Sequence, residues 1–381
     1  MSSAGPRTAT DAIVVGLGAD GSAAAAQLAA RGARVLGLEA FARGHTNGSS
    51  GGLTRVIRLA YYEHPDYVPL LKRAWELWRE LERSTGEELL RQTGGVYVGP
   101  RDGELVAGSL RSAREHGLDH ELLDPHALRA RLPLFRFEPD WWGLAESTAG
   151  YLLPDRAIAA HLTMAERGGA DLHFEERVLG WARDGDGVKV STDRGTYRAA
   201  KLVIAAGAWN ARLLPAIAPL LQVKRVPLFW FEPVAERAAL EQLPVYIVDS
   251  GLGHGCYGFP YLPDQGLKIA THGAGTPTDP DTVDREAHPA DEAPVRAFIT
   301  QRLPVADGPV RMTKICMYTV TPDEHFIVDV DGPVAYASAC SGHGFKFASV
   351  MGEVLADLAL DGATRHPIGF LSASRFAAAR A

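Results

Sequence analysis

Three glycines near the start of the chain have the spacing of a dinucleotide-binding turn. The stretch from Gly16 through Gly18 to Gly21 reads GLGADG and fits the pattern G-x-G-x-x-G. In this pattern the first glycine permits a tight turn, the second admits a pyrophosphate, and the third lets a helix pack closely on its strand. Glu39 ends the next apolar run, where a carboxylate would bind the hydroxyl groups of a ribose. The sequence therefore predicts dinucleotide binding.

The glycine pattern alone does not distinguish FAD from NAD. The chain has a single fingerprint of this kind, whereas a reductase that carries both cofactors usually needs two. The mid-chain run LVIAAG is typical of flavoprotein oxidases, in which such a strand approaches the cofactor. FAD is therefore the favoured cofactor.

Two arginines lie in an otherwise apolar segment. The stretch HTNGSSGGLTRVIR, residues 45–58, is a loop rich in glycines and hydroxyl groups that leads into Arg55 and Arg58, which flank Val56 and Ile57. Such arginines often lie on a solvated helix face, but buried ones require anionic partners. We expect a substrate carboxylate or the cofactor to supply the anion.

The three cysteines do not form a disulfide framework, since one is left over even if two pair. Cys256 and Cys340 are expected to be packed thiols. Cys316, taken alone, would be expected to be one as well. The spacings HxH, HExxH and CxxC are absent, so we expect no metal site.

The hydrophobic pattern predicts the elements that position these residues. Residues 12–15 and 34–38 are short apolar runs typical of buried parallel strands, and an alanine-rich helix over 19–30 joins them. The other predicted elements are amphipathic helices over 66–82 and 154–167, a β-meander after residue 176, and a closing helix over 345–360.

Length and composition indicate a two-domain α/β protein. The chain has 381 residues, of which 46% are hydrophobic. We expect a Rossmann-like dinucleotide-binding domain interleaved with a mixed-sheet substrate domain. The first would contain residues 1–90, 151–215 and 311–381, and the second residues 91–150 and 216–310.

The net charge of −7, without a long basic run, gives no indication of nucleic-acid or lipid binding. Neither a signal peptide nor an apolar run long enough to span a membrane is evident. These features favour a cytoplasmic protein.

Four separated motifs resemble the family of monomeric sarcosine oxidase and N-methyltryptophan oxidase. They are HTNGSSGGLTRVIRLAYYEHPDYVPL, YGFPYLPDQGLKIATHG, KICMYTVTPDEHFIVD and SGHGFKFASVMGEVL. The resemblance implies an FAD domain of the glutathione-reductase/D-amino-acid-oxidase type. It also implies an oxidase of secondary amino acids. Hydride from the amine carbon passes to FAD, O₂ becomes H₂O₂, and the imine hydrolyses, releasing formaldehyde from an N-methyl group.

The resemblance also implies roles for particular residues. Cys316 matches the cysteine that forms a thioether with the flavin, and Lys268 matches the lysine that activates O₂. Arg58 and Lys346 match the pair that holds the substrate carboxylate, while Arg55 matches the arginine against the flavin ring. Residues of the amine pocket are matched by Tyr257, His272 and Tyr318. Positions near the substrate entrance are matched by Tyr61, Glu63 and Tyr67. Residues near the flavin are matched by Thr54, His343 and Gly344. Of all these residues, Lys268, Arg55 and His272 are expected to act in catalysis.

The chain departs from the family pattern near the pocket entrance. Ser50 and Gly51 replace a pair of histidines, Leu53 replaces an aspartate, Leu59 replaces a histidine, and Tyr62 replaces a glycine. The substrate is therefore left open between an N-methyl amino acid and a bulkier or cyclic amine.

The alternatives are an oxidase of a pipecolate-like cyclic imino acid, an oxidase of sugar-modified amino acids, a non-catalytic flavoprotein subunit and an NAD-dependent dehydrogenase. The expected partners are a small amine substrate and O₂, and the protein is expected to be a monomer.

Overall fold

The computed structural model of the protein describes residues 10–249, 255–273 and 275–376. The strands are β1 (Thr10–Val15), β2 (Val35–Leu38), β3 (Arg55–Arg58), β4 (Leu90–Gln92), β5 (Gly95–Gly99), β6 (Glu121–Leu123), β7 (Trp142–Glu146), β8 (Ala149–Leu152), β9 (Asp171–His173), β10 (Val178–Asp184), β11 (Gly187–Thr192), β12 (Thr196–Ile204), β13 (Gln222–Phe231), β14 (Val245–Asp249), β15 (Gly255–Gly258), β16 (Leu267–Thr271), β17 (Thr276–Pro277), β18 (Val310–Val320), β19 (Ile327–Asp331) and β20 (Val334–Ser338). The α-helices are α1 (Ala19–Ala30), α2 (Val68–Thr85), α3 (Glu104–Glu115), α4 (Pro125–Arg131), α5 (Pro154–Arg167), α6 (Asn210–Leu213), α7 (Arg237–Glu241), α8 (Pro289–Arg302) and α9 (Ala348–Asp361).

The first sheet contains the N-terminal strand near its centre. Its order is β10-β11-β12-β1-β2-β9, and β20 pairs with β12 and with β19. Strand β1 is parallel to both β2 and β12, and β12 is parallel to β20. Their apolar sequences suit strands that are buried on both faces. The carboxyl ends of β1, β2, β12 and β20 therefore meet at one edge, where ligands bind in open α/β sheets.

Helices α1, α5 and α9 pack together beside this sheet. The sequence of α1, ADGSAAAAQLAA, is rich in alanine, and its small side chains let the neighbouring helices approach closely. Gly352 of α9 lies so near Ala23 of α1 that a Cβ atom at position 352 would be 2.5 Å from the Ala23 Cβ. This contact holds α1 and α9, the first and last α-helices of the described residues, together.

A second sheet, in the order β17-β13-β16-β15-β14-β5-β7-β6, also includes β18, which pairs with β13. Large aromatic side chains fill its core, among them Phe229, Phe231 and Phe298. A small third sheet, β3-β8-β4, lies between the other two units, because β7 of the second sheet runs directly into β8 and β3 contacts the 3₁₀ turn before α9. Both arginines of the RVIR segment are on β3 and so lie at this junction.

Most of the predicted elements agree with the structure. The helix predicted over 19–30 is α1, and the helix predicted over 154–167 is α5. The closing helix begins with a 3₁₀ turn at Phe345–Phe347 before α9. It ends at Gly362, whose φ of 73° is the left-handed conformation that glycine adopts readily.

The proposed division into two domains stays a prediction. Its boundary at residue 311 assigns β18 to the dinucleotide-binding domain, but β18 pairs along its length with β13 of the second sheet. The apolar pattern of β18 does not reveal which strand it pairs with. No helix within the described ranges is long and apolar enough to cross a membrane.

The close packing of α1 and α9 predicts the effect of a single methyl group. We expect Gly352→Ala to lower the stability of the protein by about 1–3 kcal/mol, because the added Cβ overlaps Ala23 in a filled core. Urea denaturation followed by circular dichroism measures the change. Gly195→Ala is the matched control, since a Cβ there meets nothing within 4 Å. Equal stability of the two variants would contradict the prediction.

Candidate active site

A cavity of about 470 Å³ lies where the first sheet meets the second. One side is lined by residues at the carboxyl ends of β1, β2, β12 and β20: Val15, Leu38, Ala205 and Ser338. The other side is lined by residues on or beside the second sheet: Leu228, Ile247, Tyr257, His272, Cys316 and Tyr318. Residues from both large sheets therefore line the cavity.

The glycine turn lies at one end of this cavity. Gly16 has a φ of 85°, and a Cβ there would be 2.6 Å from the Ala205 backbone oxygen. A Cβ on Gly21 would be 1.7 Å from the Gly16 oxygen, so the third glycine serves helix packing. A Cβ on Gly18, in contrast, would meet only the Ser50 hydroxyl oxygen, at 3.9 Å, so this glycine leaves space at the start of α1. This turn leaves room for a phosphate group at the positive end of a helix.

Glu39 holds the backbone beside the turn. Its carboxylate accepts hydrogen bonds from the Leu17 N–H at 2.8 Å and the Phe41 N–H at 3.1 Å. It also lines the cavity, at the end of β2. The acid is therefore both fixed by the backbone and available to a ligand.

Cys316 and Arg55 both line the cavity and contact each other. The Cys316 thiol donates to the Ser49 carbonyl at 3.3 Å, and Arg55 Nη2 donates to the Cys316 sulfur at 3.5 Å. Arg55 also donates to the carbonyl groups of Ser49, Gly51 and Thr54. The hydroxyl- and glycine-rich loop thus uses its backbone to hold the guanidinium beside the thiol.

Arg58 is a buried cation paired with an acid in the cavity wall. Its Nη2 donates to both oxygens of Glu63 at 2.6 Å, and its Nη1 donates to the Ala60 carbonyl at 3.1 Å. The rings of Tyr61 and Tyr62 lie 4.2 and 4.6 Å from the guanidinium carbon. Burial alone would raise the pKa of Glu63, but Arg58, with His343 and Lys346, lowers it to about 2. The pair is therefore ionised at neutral pH.

Lys346 approaches the same end of the cavity from the turn before α9. Its ammonium group donates to the His343 carbonyl at 2.6 Å and lies 5.2 Å from the centre of the Tyr61 ring. Burial and the nearby Arg58 charge lower the pKa of Lys346 to about 7, despite the opposing effect of Glu63. Its charge therefore changes near neutral pH.

His343 is a neutral histidine with a defined tautomer. The Glu324 carbonyl, 3.0 Å from Nε2, can only accept, so Nε2 carries the proton. Nδ1 then accepts a hydrogen bond from the Tyr61 hydroxyl group at 2.6 Å. Burial lowers the pKa of His343 to about 3. This histidine therefore orders Tyr61 beneath the two cations.

Aromatic rings form the wall opposite the cations. The His272 ring lies 6.3 Å from the Tyr257 ring and 6.4 Å from the Tyr318 ring, and all three residues line the cavity. Burial lowers the pKa of His272 to about 4, so it is neutral at physiological pH. Ile247 completes this wall. The end of the cavity thus combines cations on one side with an apolar surface on the other.

Lys268 is close to this wall but lies behind it. Its ammonium group donates to the Gly52 carbonyl at 2.9 Å, to the Thr54 carbonyl at 2.8 Å and to the Thr54 hydroxyl at 3.3 Å. The rings of Trp230 and Phe259 lie within about 5 Å of it. Burial and the Arg55 charge hold the pKa of Lys268 well below its usual range.

Most of the residues predicted for the site line the cavity, and five do not. The residues in the lining are Gly16, Gly18, Glu39, Arg55, Arg58, Glu63, Tyr257, His272, Cys316, Tyr318, His343, Gly344 and Lys346. Four of the other five lie directly behind it, in contact with residues that do: Gly21, Thr54, Tyr61 and Tyr67. Lys268 lies one contact further away, against Thr54. Sequence reasoning missed Glu146, a buried acid that contacts the turn after Arg58, because its partners are backbone N–H groups that no side-chain pattern reports.

Comparison with known proteins gives consistent matches over nearly the whole chain. A family model described as FAD dependent oxidoreductase matches residues 11–358. Monomeric sarcosine oxidase from Streptomyces avermitilis is 45% identical, covering 97% of this chain and 99% of that protein. N-methyl-L-tryptophan oxidase from Salmonella dublin is 34% identical, covering 96% and 99%.

A solved structure shows the same architecture. NikD, described as an unusual amino acid oxidase essential for nikkomycin biosynthesis, matches with a TM-score of 0.83 and 26% identity, over 96% of this chain and 98% of that chain. The resemblance and the fold class predicted from the sequence are therefore confirmed.

The ionisation of Lys346 predicts how anion binding depends on pH. Because the ammonium group is charged below a pKa of about 7, we expect methoxyacetate to bind roughly tenfold more weakly at pH 9 than at pH 6. Methoxyacetate is a small carboxylate without a titrating amine, so its own charge is constant over this range. Arg58 and Glu63 stay charged, and His272 and His343 stay neutral.

Isothermal titration calorimetry of the purified protein measures this dependence. Lys346→Met should bind weakly at both pH values and lose most of the dependence. The exposed Lys189→Met is the control and should retain it. Methoxyacetate affinity that stays constant from pH 6 to pH 9 in the unsubstituted protein would refute the assignment of this charge to Lys346.

Proposed function

The chain belongs to the FAD dependent oxidoreductase family, among the relatives of monomeric sarcosine oxidase, and we propose that it oxidises a secondary α-amino acid. The observation that carries the proposal is the arrangement of one cavity. A dinucleotide turn lies at one end, and a pair of cations faces an aromatic wall at the other. Two cations suit one carboxylate, and an apolar wall suits the carbon chain around an amine.

The cavity fits FAD by its shape and its donors. Gly18 leaves open space in front of α1, where a side chain would block a pyrophosphate, and Glu39 is placed at the end of β2 for a ribose. When bound, FAD would accept a hydride from the carbon next to the substrate nitrogen. We propose Cys316 as the covalent anchor, since it lines the cavity and its sulfur lies 3.5 Å from Nη2 of Arg55.

Arg58 and Lys346 are proposed to bind the substrate carboxylate. Glu63 already occupies Nη2 of Arg58 with both of its oxygens, so an incoming carboxylate that uses Nη2 takes the place of Glu63. The exchange keeps a charge-assisted hydrogen bond on Arg58, but it also requires another hydrogen-bond partner for Glu63, because a buried carboxylate without one is costly. Tyr257, Tyr318 and the neutral His272 would enclose the amine and exclude water from it.

Lys268 is proposed to favour the oxygen half of the reaction. A cation near the point where negative charge develops on O₂ stabilises that charge. Its bonds to the Gly52 and Thr54 carbonyls fix the ammonium group behind the cavity wall. It would therefore act through its protonated form, beside the site of the reaction, rather than as a ligand of the amino acid.

A cyclic secondary amino acid is the second candidate substrate. The observation that favours it is the compact apolar wall of Ile247, Tyr257 and Tyr318, against which a ring would pack. We also propose a monomer, as the names of several relatives state for those proteins.

A peroxide assay with a substrate panel tests the function. We expect H₂O₂ from N-methyl amino acids or from L-proline and L-pipecolate, and little from glycine, because the proposal requires a secondary amine. Formaldehyde should appear only with the N-methyl compounds. A protein that contains flavin yet forms no peroxide with any member of the panel would refute the proposal and favour a non-catalytic subunit.

The proposed anchor predicts where the flavin remains after denaturation. Acid precipitation should leave the yellow colour in the pellet of the unsubstituted protein and in the supernatant of Cys316→Ala. Cys256→Ala is the control, because Cys256 is buried outside the cavity lining, and it should keep the colour in the pellet. If the yellow colour of Cys316→Ala stays in the pellet, the covalent anchor is another residue.

The role of Lys268 predicts unequal effects on the two halves of the reaction. Lys268→Met should slow reoxidation by O₂ at least about a hundredfold, the scale for losing one charge-stabilising group. Anaerobic reduction by substrate should change much less. Stopped-flow absorbance measures both rates, with Lys189→Met as the control. Equal slowing of the two steps would contradict this role.

A further inference from the structure

We infer that the buried carboxyl group of Glu146 positions Arg58 for substrate binding. Glu146 ends β7 of the second sheet, is 5% exposed and does not line the cavity, so it touches neither substrate nor cofactor. Its effect must therefore pass through Arg58. The inference rests on the proposed function, because it assumes that Arg58 binds the carboxylate of an amino acid.

The contacts of Glu146 converge on the turn that follows Arg58. The Leu59 N–H lies 3.2 Å from both carboxyl oxygens, and the Ala60 N–H lies 3.2 and 3.1 Å from them. The Ala60 carbonyl then accepts from Arg58 Nη1 at 3.1 Å. Hydrogen bonds thus link Glu146 to the guanidinium group through a single residue, Ala60, which is held at its N–H by Glu146 and at its carbonyl by Arg58.

Tyr97 completes the support of this carboxyl group. Its hydroxyl group donates to Glu146 Oε1, and its ring lies 5.6 Å from the Arg58 guanidinium carbon. Gly95, which is opposite Glu146 in the register of β5 and β7, makes room for this contact. A Cβ on Gly95 would be 2.6 Å from the Tyr97 hydroxyl oxygen. The second sheet therefore holds the acid and its tyrosine in one place.

The two acids near Arg58 have different tasks. Glu63 lines the cavity and occupies the edge of the guanidinium that a substrate needs. Glu146 does not line the cavity, and neither do Leu59 and Ala60, whose backbone N–H groups it contacts. When a substrate displaces Glu63, the hydrogen bonds of Glu146 still hold the turn after Arg58, and so they keep the guanidinium group in the same position. Misplacement of such a binding group by about 1 Å is enough to cost up to a hundredfold.

The test is Glu146→Gln, which keeps the size of the side chain. One oxygen becomes an NH₂ group, which cannot accept from the converging N–H donors, so the turn shifts. We expect the KM for the amino acid and the Kd for methoxyacetate to rise about tenfold or more, with kcat at saturating substrate within about threefold. Steady-state kinetics and calorimetry measure these constants.

Glu82→Gln is the matched control. Glu82 Oε1 likewise accepts from two successive N–H groups, those of Leu89 and Leu90, at 2.8 and 2.9 Å, and Glu82 does not line the cavity. It should lower stability without moving KM or Kd. An equal rise of KM in both variants, or an unchanged KM in Glu146→Gln, would overturn the inference.

Tyr97→Phe decides the question if Glu146→Gln does not fold. Removal of one donor leaves the two backbone bonds, so we expect a smaller rise in both constants, of about threefold. Unchanged constants in Tyr97→Phe would then overturn the inference. If the unsubstituted protein oxidises no amine, the proposed function fails, whereas methoxyacetate binding still reports whether Glu146 positions Arg58.

Discussion

The site depends on the cost of burying positive charge. Arg55, Arg58, Lys268 and Lys346 all lie close to the junction of the sheets, and each loses hydration there. Lys268 meets three oxygen acceptors of residues 52 and 54, Arg55 meets three carbonyl groups, and Arg58 meets a carboxylate and a carbonyl. Among the described contacts Lys346 donates to one carbonyl only. The cluster therefore has capacity for one more anion, at the end that faces the aromatic wall.

The interleaved order of the chain is what brings these cations together. Arg55 and Arg58 come from β3, Lys268 from β16 of the second sheet, and Lys346 from the turn before α9. No single unit of the fold contains the cluster. The three-stranded sheet links the two larger units, because β8 follows β7 of the second sheet and pairs with β3, while β3 contacts the turn before α9. A change in the packing of this junction would therefore alter the charges and the cavity together.

Sequence reasoning predicts the parts of this structure that follow local rules. The glycine turn and helix α1 follow from sterics and alanine-rich composition over a few residues, and the predicted bounds of α1 match the structure. The pairing of β18 with β13 depends on residues far apart in the chain, so the pattern of β18 could not reveal it. The location of Lys268 behind residues 52–54 has the same origin, because backbone carbonyl groups have no signature in a sequence. Glu146 was missed for this reason too.

The surroundings of Arg58 determine the direction from which a substrate can approach. The rings of Tyr61 and Tyr62 lie against the guanidinium group, and the carbonyl of Ala60 accepts a hydrogen bond from one of its terminal nitrogens. What remains is the edge held by Glu63, which also faces the cavity. An anion that approaches along this edge meets an ion pair rather than a free cation, so only a group that can replace a carboxylate gains a net interaction. Tyr62, where the family pattern has a glycine, narrows the space beside this edge. The substitutions at the entrance therefore act on the shape of the amino acid, while the recognition of its carboxylate depends on Arg58 and the residues that hold it.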